Sequence, residues 1–167
     1  SYSFTVTANH TLVANFSQKQ YNVNISANPA AGGTVSGGGT VNHGQSVTVV
    51  ATANEGYTFT GWSESGSTVS TNASYSFTVT ANHTLVANFS QKQYNITVSA
   101  SPAAGGTVSG GGAFAHKASV TVMATANEGY TFAGWSENGN LASTNASYTF
   151  NASANRTLLA NFTLKQY

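Results

Sequence analysis

Apolar and polar residues alternate along most of this chain. Between residues 21 and 27, Val23, Ile25 and Ala27 face one way while Asn22, Asn24 and Ser26 face the other. The same period of two returns at 46–53 with Val47, Val49 and Ala51, at 75–80 with Tyr75, Phe77 and Val79, and at 84–89 with Leu85, Ala87 and Phe89. Residues 34–36 and 57–62 read as further strands, the second ending in Trp62. Asn28-Pro29, Gly32-Gly33, Gly37-Gly38-Gly39, Asn42-His43-Gly44, Asn54-Glu55-Gly56 and Ala81-Asn82-His83 punctuate these runs. Alternation bounded by Gly, Asn and Pro signals strands joined by tight turns, and no segment carries a convincing helical stripe. The pattern predicts an all-β fold, with six or seven short antiparallel strands per unit around a small core.

The pattern itself repeats. Tyr21 recurs as Tyr94 and Tyr167, and aligning 21–93 on 94–166 gives 50 identities in 73 positions. Residues 1–20 match 74–93 at all 20 positions. This divides the chain into the terminal hairpin of a preceding repeat (1–20), complete repeats at 21–93 and 94–166, and the start of another at Tyr167. Near-identical tandem copies are the signature of a repeat array. A unit of this size without disulfide or metal is marginal alone, and stacking on neighbours supplies what it lacks. Ser90-Gln91-Lys92-Gln93 reads as the linker, which spans at most ~13 Å when extended. Successive repeats are therefore expected nearly in contact, as a rod. The expected core is Val23, Ile25, Val47, Val49, Phe59, Trp62, Tyr75, Phe77, Leu85 and Phe89 in one repeat. In the other it is Phe132, Trp135, Tyr148, Phe150, Leu158 and Phe162.

Composition narrows the function classes. Thr, Ser and Asn number 23, 21 and 18, while only 5% of the chain is charged and the net charge is +1. With aromatics at 11%, the chain is folded rather than disordered. So little charge leaves no electrostatic footprint for nucleic acid or an anionic membrane, and no apolar run is long enough to insert in one. There is no Cys and no Asp, so thiolate metal sites, disulfides and Asp-ladder calcium repeats are excluded.

The remaining chemistry-bearing residues read as structural. His10 and His83 share one repeat position, which Arg156 fills in the last copy, an exchange that a metal ligand would not tolerate. His43 and His116 correspond and precede a turn. Glu55 and Glu128 sit in Asn-Glu-Gly turns, Glu64 and Glu137 follow the tryptophans, and all four are expected to be solvated loop residues. No Ser–His–acid set or paired-carboxylate cleft is legible, so no catalytic, metal or cofactor-binding residue is assigned. Trp62, Trp135, Tyr57 and Tyr130 could build a sugar-stacking platform, but aromatics on repeated strands are more often core anchors. Lys19, Lys92 and Lys165 occupy the linker as solubility charges. Among the N-x-S/T sequons, Asn72 and Asn145 are the exposed candidates for glycosylation.

Several blocks together resemble a known family. They are Pro29 to Val35 (PAAGGTV), Gly56 to Trp62 (GYTFTGW), Tyr75-Ser76-Phe77 and Leu85 to Phe89 (LVANF), with the same marks at Pro102, Gly105 to Val108, Gly129 to Trp135, Tyr148 and Leu158 to Phe162. This set resembles the divergent InlB B-repeat family, within the wider Listeria–Bacteroides repeats. The resemblance implies a β-grasp-like module repeated in secreted or wall-attached surface proteins, used as stalk or accessory adhesive segment and carrying no catalytic residues. The near absence of charge departs from the family pattern.

The expected function is a non-enzymatic structural repeat of an extracellular microbial surface protein, a stalk or fibre-forming segment without cofactor. Residues 1–20 carry Tyr2, Phe4, Val6, Leu12 and Phe16 in phase, an apolar face that needs covering. These are candidate assembly strands, which either complete a preceding repeat of a longer array or are donated head-to-tail to a neighbouring copy. The alternative is an adhesive, carbohydrate-binding module, which exposed tryptophans would favour and buried ones would oppose.

Overall fold

The computed structural model describes residues 1–166; the expected repeat start at Tyr167 lies outside them. Each repeat contains eight strands rather than the six or seven expected, because short Gly- and Ser-flanked segments at 39–42 and 67–70 also pair. In the first they are β1 (Gln20–Asn28), β2 (Gly33–Ser36), β3 (Gly39–Asn42), β4 (Ser46–Ala53), β5 (Tyr57–Glu64), β6 (Ser67–Ser70), β7 (Ser74–Thr78) and β8 (His83–Gln91). In the second they are β9 (Gln93–Ser101), β10 (Gly106–Ser109), β11 (Gly112–Ala115), β12 (Ser119–Ala126), β13 (Tyr130–Glu137), β14 (Asn140–Ser143), β15 (Ser147–Asn151) and β16 (Arg156–Leu164). A five-stranded sheet, β3-β1-β8-β5-β6, lies against a three-stranded one, β2-β4-β7, and the second repeat reproduces both.

One pairing departs from the antiparallel expectation. β1 and β8 run parallel, in register from Val23 opposite His83 to Asn28 opposite Asn88, and β9 pairs with β16 the same way. Alternation reports which face a residue occupies but is blind to strand direction. A parallel pair needs a long crossover, and here the other six strands provide it. The chain consequently enters a repeat at one end of the sheet and leaves at the other. β1 and β8 are nine residues each, about 30 Å at ~3.3 Å per residue.

The core lies between the two sheets. Val23, Val49, Ala51, Trp62, Val79, Leu85, Ala87 and Phe89 are buried, with Tyr21, Ile25, Val47, Phe59, Tyr75 and Phe77 half-buried against them. The second repeat buries Ile96, Val120, Val122, Trp135, Leu158 and Phe162, with Phe132, Tyr148 and Phe150 on the margin. Trp62 and Trp135 are 0% exposed, and each indole N–H donates to a backbone carbonyl, of Ala73 at 3.1 Å and Ala146 at 3.2 Å. A buried indole thus keeps its one polar atom satisfied.

The linker is shorter than expected. β8 runs through Gln91 and β9 begins at Gln93, so Lys92 alone separates the repeats. A second correction concerns the amino-terminal hairpin. Residues 1–19 form no strand, and Tyr2, Phe4, Val6, Leu12 and Phe16 are all exposed. The physical reason lies in the topology. The identical residues 83–91 form a strand only because β1 and β5 flank them, and no such partners stand beside residues 10–18.

Truncating one tryptophan tests the independence of the two cores. Trp62→Ala should cost about 3–5 kcal/mol, a large share of the roughly 4–11 kcal/mol that 73 residues usually supply. The expected result is early melting of repeat 21–93 while the Trp135 indole N–H signal persists in NMR spectra. Simultaneous loss of both repeats would show a single cooperative unit instead.

Candidate functional site

The residues that looked like chemistry are mostly engaged in holding the fold. Gly32 and Gly33 lie directly against Phe89, so closely that a Cβ on either would strike the ring or its Cβ. Register shifts between Phe59 and Gly61, where a bulge breaks the β5–β8 ladder. Asn88 repairs that break: its side-chain amide donates to Gly61 O at 3.3 Å and Ser63 Oγ at 2.8 Å. Asn161 makes the same bonds to Gly134 O and Ser136 Oγ. Asn82 and Asn155 accept the backbone N–H of Asn22 and Asn95, each at 2.9 Å, which anchors β1 and β9. The repeated blocks are therefore packing and bulge-repair residues. Of the two favoured sequons, Asn72 and Asn145 are both exposed in the turns before β7 and β15.

Ion pairs were the signal that sequence reading missed. Glu64 lies on β5, not in a loop, and both its carboxylate oxygens meet Nδ1 of His83, at 3.0 and 3.1 Å. The His83 ring stands edge-on to Phe77 with centroids 4.8 Å apart. In the second repeat Glu137 takes two guanidinium nitrogens of Arg156, with Nη2 to Oε2 at 2.6 Å. The Arg156 guanidinium also sits 4.2 Å from the centroid of Phe150 and donates to the Tyr148 hydroxyl. Its pKa is raised, first by the hydrogen bond to Glu137, against the opposing effect of burial. His83 and Arg156 thus do one job, a nitrogen-bearing side chain closing the end of an aromatic strand against a glutamate. Only the three-dimensional register brings them together, since 19 residues separate each pair.

A second cluster joins the repeats. Lys92 N–H donates to Gly56 O at 2.7 Å, and Lys92 O accepts the N–H of His116 at 2.9 Å. The Asn54-Glu55-Gly56 turn of one repeat meets the His116-Lys117 turn of the next. Lys117 Nζ reaches Glu55 Oε2 at 2.8 Å, and His116 Nε2 lies 3.7 Å from Glu55 Oε1. The pKa of Glu55 is lowered, chiefly by the hydrogen bond from Lys117, then by the charges of Lys117 and His116.

Among the described residues there is no cavity and no grouping of three or more His, Cys, Asp or Glu able to hold a metal. Nor is any helix long and apolar enough to cross a membrane, which leaves strand-borne crossing unaddressed. A family model described as the divergent InlB B-repeat domain matches the chain twice, at residues 23–93 and 96–166. No curated protein and no solved structure matches it.

Two outcomes test these pairs. His83→Arg should recreate the Arg156 arrangement and stabilise the first repeat by about 0.5–1 kcal/mol, read as later loss of the Trp62 indole signal on heating. An unchanged or earlier loss would mean that Arg156 depends on its own surroundings. For Glu55 the depressed pKa means that its stabilisation is present above the ordinary carboxylate range. It disappears as pH falls through the lowered value, below the reference of 4.5. An NMR titration of the Glu55 carboxyl carbon should move to higher pH in Lys117→Gly, and an unmoved midpoint would sever the link to Lys117.

Proposed function

The chain belongs to the divergent InlB B-repeat family, and from that membership we propose that it is a non-enzymatic spacer of an extracellular surface protein. Repeats of this family belong to bacterial surface proteins. The observation that carries the reading is the parallel pairing of the first and last strand of each repeat. Entry and exit at opposite ends, with one residue between repeats, turn each added copy into added length. A pull applied through the two ends loads β1 and β8 in shear along their shared ladder, so its bonds resist together. The family-like residues add to this, because they are engaged in packing and leave no polar constellation facing a cleft.

Self-association is the second part of the proposal. Residues 1–18 carry the sequence of β7 and β8 with its apolar face exposed. Their partner is the six-strand remainder of another repeat in a longer array; a neighbouring copy, whose two repeats are closed by their own β7–β8 and β15–β16, takes them in by exchange of those closing strands. They cannot take the place of 74–91 in the repeat that follows them. Residue 18 would then lie roughly 30 Å from the start of β1, and Lys19 bridges only two steps of ~3.8 Å. The carbohydrate-binding alternative loses its platform, because Trp62 and Trp135 are inaccessible.

Force spectroscopy on the full chain tests the spacer reading. Two unfolding events are expected, each lengthening the chain by roughly 230 Å, about 73 residues at ~3.6 Å less the folded 30 Å. Unfolding without a resolved force peak would overturn it. For assembly, negative-stain microscopy over a concentration series should show head-to-tail filaments that vanish when residues 1–18 are deleted, with repeat stability unchanged. Monomeric rods throughout would remove the neighbouring copy as partner.

A further inference from the structure

The contact between the repeats is built as a knob and a notch. The imidazole of His116 lies over Gly56, where a Cβ would collide with the ring. Its side chain is 10% exposed, and neither ring nitrogen has a hydrogen-bond partner. The 3.7 Å approach of Nε2 to Glu55 is too long for a hydrogen bond and leaves only an electrostatic contact. The ring is therefore held by packing into the neighbouring repeat. Lys117 completes the contact from a backbone φ of +63°, a left-handed conformation more usual for glycine, and its ammonium clamps Glu55.

The same molecule supplies each half of this contact unengaged. His43 is the matching knob in the first repeat, set beside Tyr21 at 5.8 Å as His116 is beside Tyr94 at 5.9 Å, yet it is exposed. Gly129 is the matching notch in the second repeat, with the same φ of +80° as Gly56, and nothing stands within 4 Å of its Cβ position. Knob and notch are thus formed before they meet. The two knobs differ beside the histidine at Asn42, Gly44 and Gln45 in one and Ala115, Lys117 and Ala118 in the other, and of these Lys117 alone carries a charge and reaches the notch glutamate.

We infer that the Asn-Glu-Gly turn is a docking notch for the histidine turn of an adjoining repeat, fixing the rotation of one repeat on the next. The residue after that histidine sets how firmly. A lysine there clamps the notch glutamate and a glycine leaves the histidine to hold alone, so an array of such repeats carries stiffer and looser joints written at one position. This rests on the spacer reading for its purpose, though the joint is measurable apart from it.

The test is the distance distribution between spin labels in the full chain, which has no native cysteine among the described residues. Ser67→Cys and Asn140→Cys place the labels at equivalent exposed sites in the two repeats. The parent should give one narrow distribution. Lys117→Gly should broaden it and Gly56→Ala should broaden it further. Gly129→Ala, which carries the same backbone strain without a knob to displace, should leave it unchanged. The two indole N–H signals report that both repeats stay folded. A broad parent, or a parent-like width in Lys117→Gly and Gly56→Ala, would overturn the inference. Lys117→Gly puts the residue of the first repeat at this position, so it keeps the test decisive should Gly56→Ala unfold its turn. Force spectroscopy reads the ladder inside each repeat, so either result can fail without the other.

Discussion

The parallel pairing of the first and last strand governs the rest of this molecule. An antiparallel pair would return the chain to the end where it entered, and successive repeats would then crowd side by side. With β1 and β8 parallel, Gln91 leaves the sheet opposite the edge where Gln20 entered it. β8 also sits at the centre of the five-stranded sheet, between β1 and β5, and carries Leu85, Ala87 and Phe89 into the core. The core closes only when the last strand of the repeat is in place. Each repeat is therefore a unit whose closing strand also delivers the chain to the next one.

That arrangement explains why so few charges suffice. Of the four glutamates, Glu64 and Glu137 each close a strand end inside a repeat, and Glu55 joins two repeats. The pairs at Glu64 and Glu137 are partly screened from water, whereas Glu55 is well exposed and its contribution weakens with salt. Cohesion comes instead from the two aromatic and aliphatic cores and from hydroxyl and amide bonds such as Thr48 to Ser76 at 2.7 Å. The exchange of His83 for Arg156 keeps a nitrogen-bearing side chain against both an aromatic ring and a glutamate, so the role survives a change of residue type.

Much of the fold was legible because alternation and repetition are properties of sequence. Most strand positions and the 73-residue period follow from spacing, whereas β3 and β6 lie in Gly- and Ser-rich stretches without clear alternation. Trp62 stands out of phase with Tyr57 and Phe59, and the bulge between Phe59 and Gly61 is what turns it inward. Strand direction was not legible, since a residue at an alternating position faces the same way in either orientation. The pairing of Glu64 with His83 was hidden because it depends on the β5–β8 register, in which Glu64 stands opposite Leu85. The joint was hidden for another reason. Its residues Glu55, Lys92 and Lys117 lie far apart in sequence, and reading Lys92 as a solubility charge overlooked that its backbone does the joining. Residues 1–18 had the pattern of strands and lacked the neighbours, and a pattern without partners does not make a ladder.

Near-identity between adjacent copies carries a hazard that this geometry contains. Residues 10–18 and 83–91 are the same nine residues, so side chains cannot distinguish which repeat either should complete. Connectivity makes the distinction. The single residue between a closing strand and the following β1 or β9 cannot cross the length of the sheet, which bars each closing strand from the repeat downstream of it. The permitted partner is the repeat immediately upstream or one on another molecule. A longer linker would remove that bar and let identical strands compete within one array. Shortness of the connection therefore serves fidelity of pairing as well as stiffness, and it allows the copies to remain similar without mispairing within the chain.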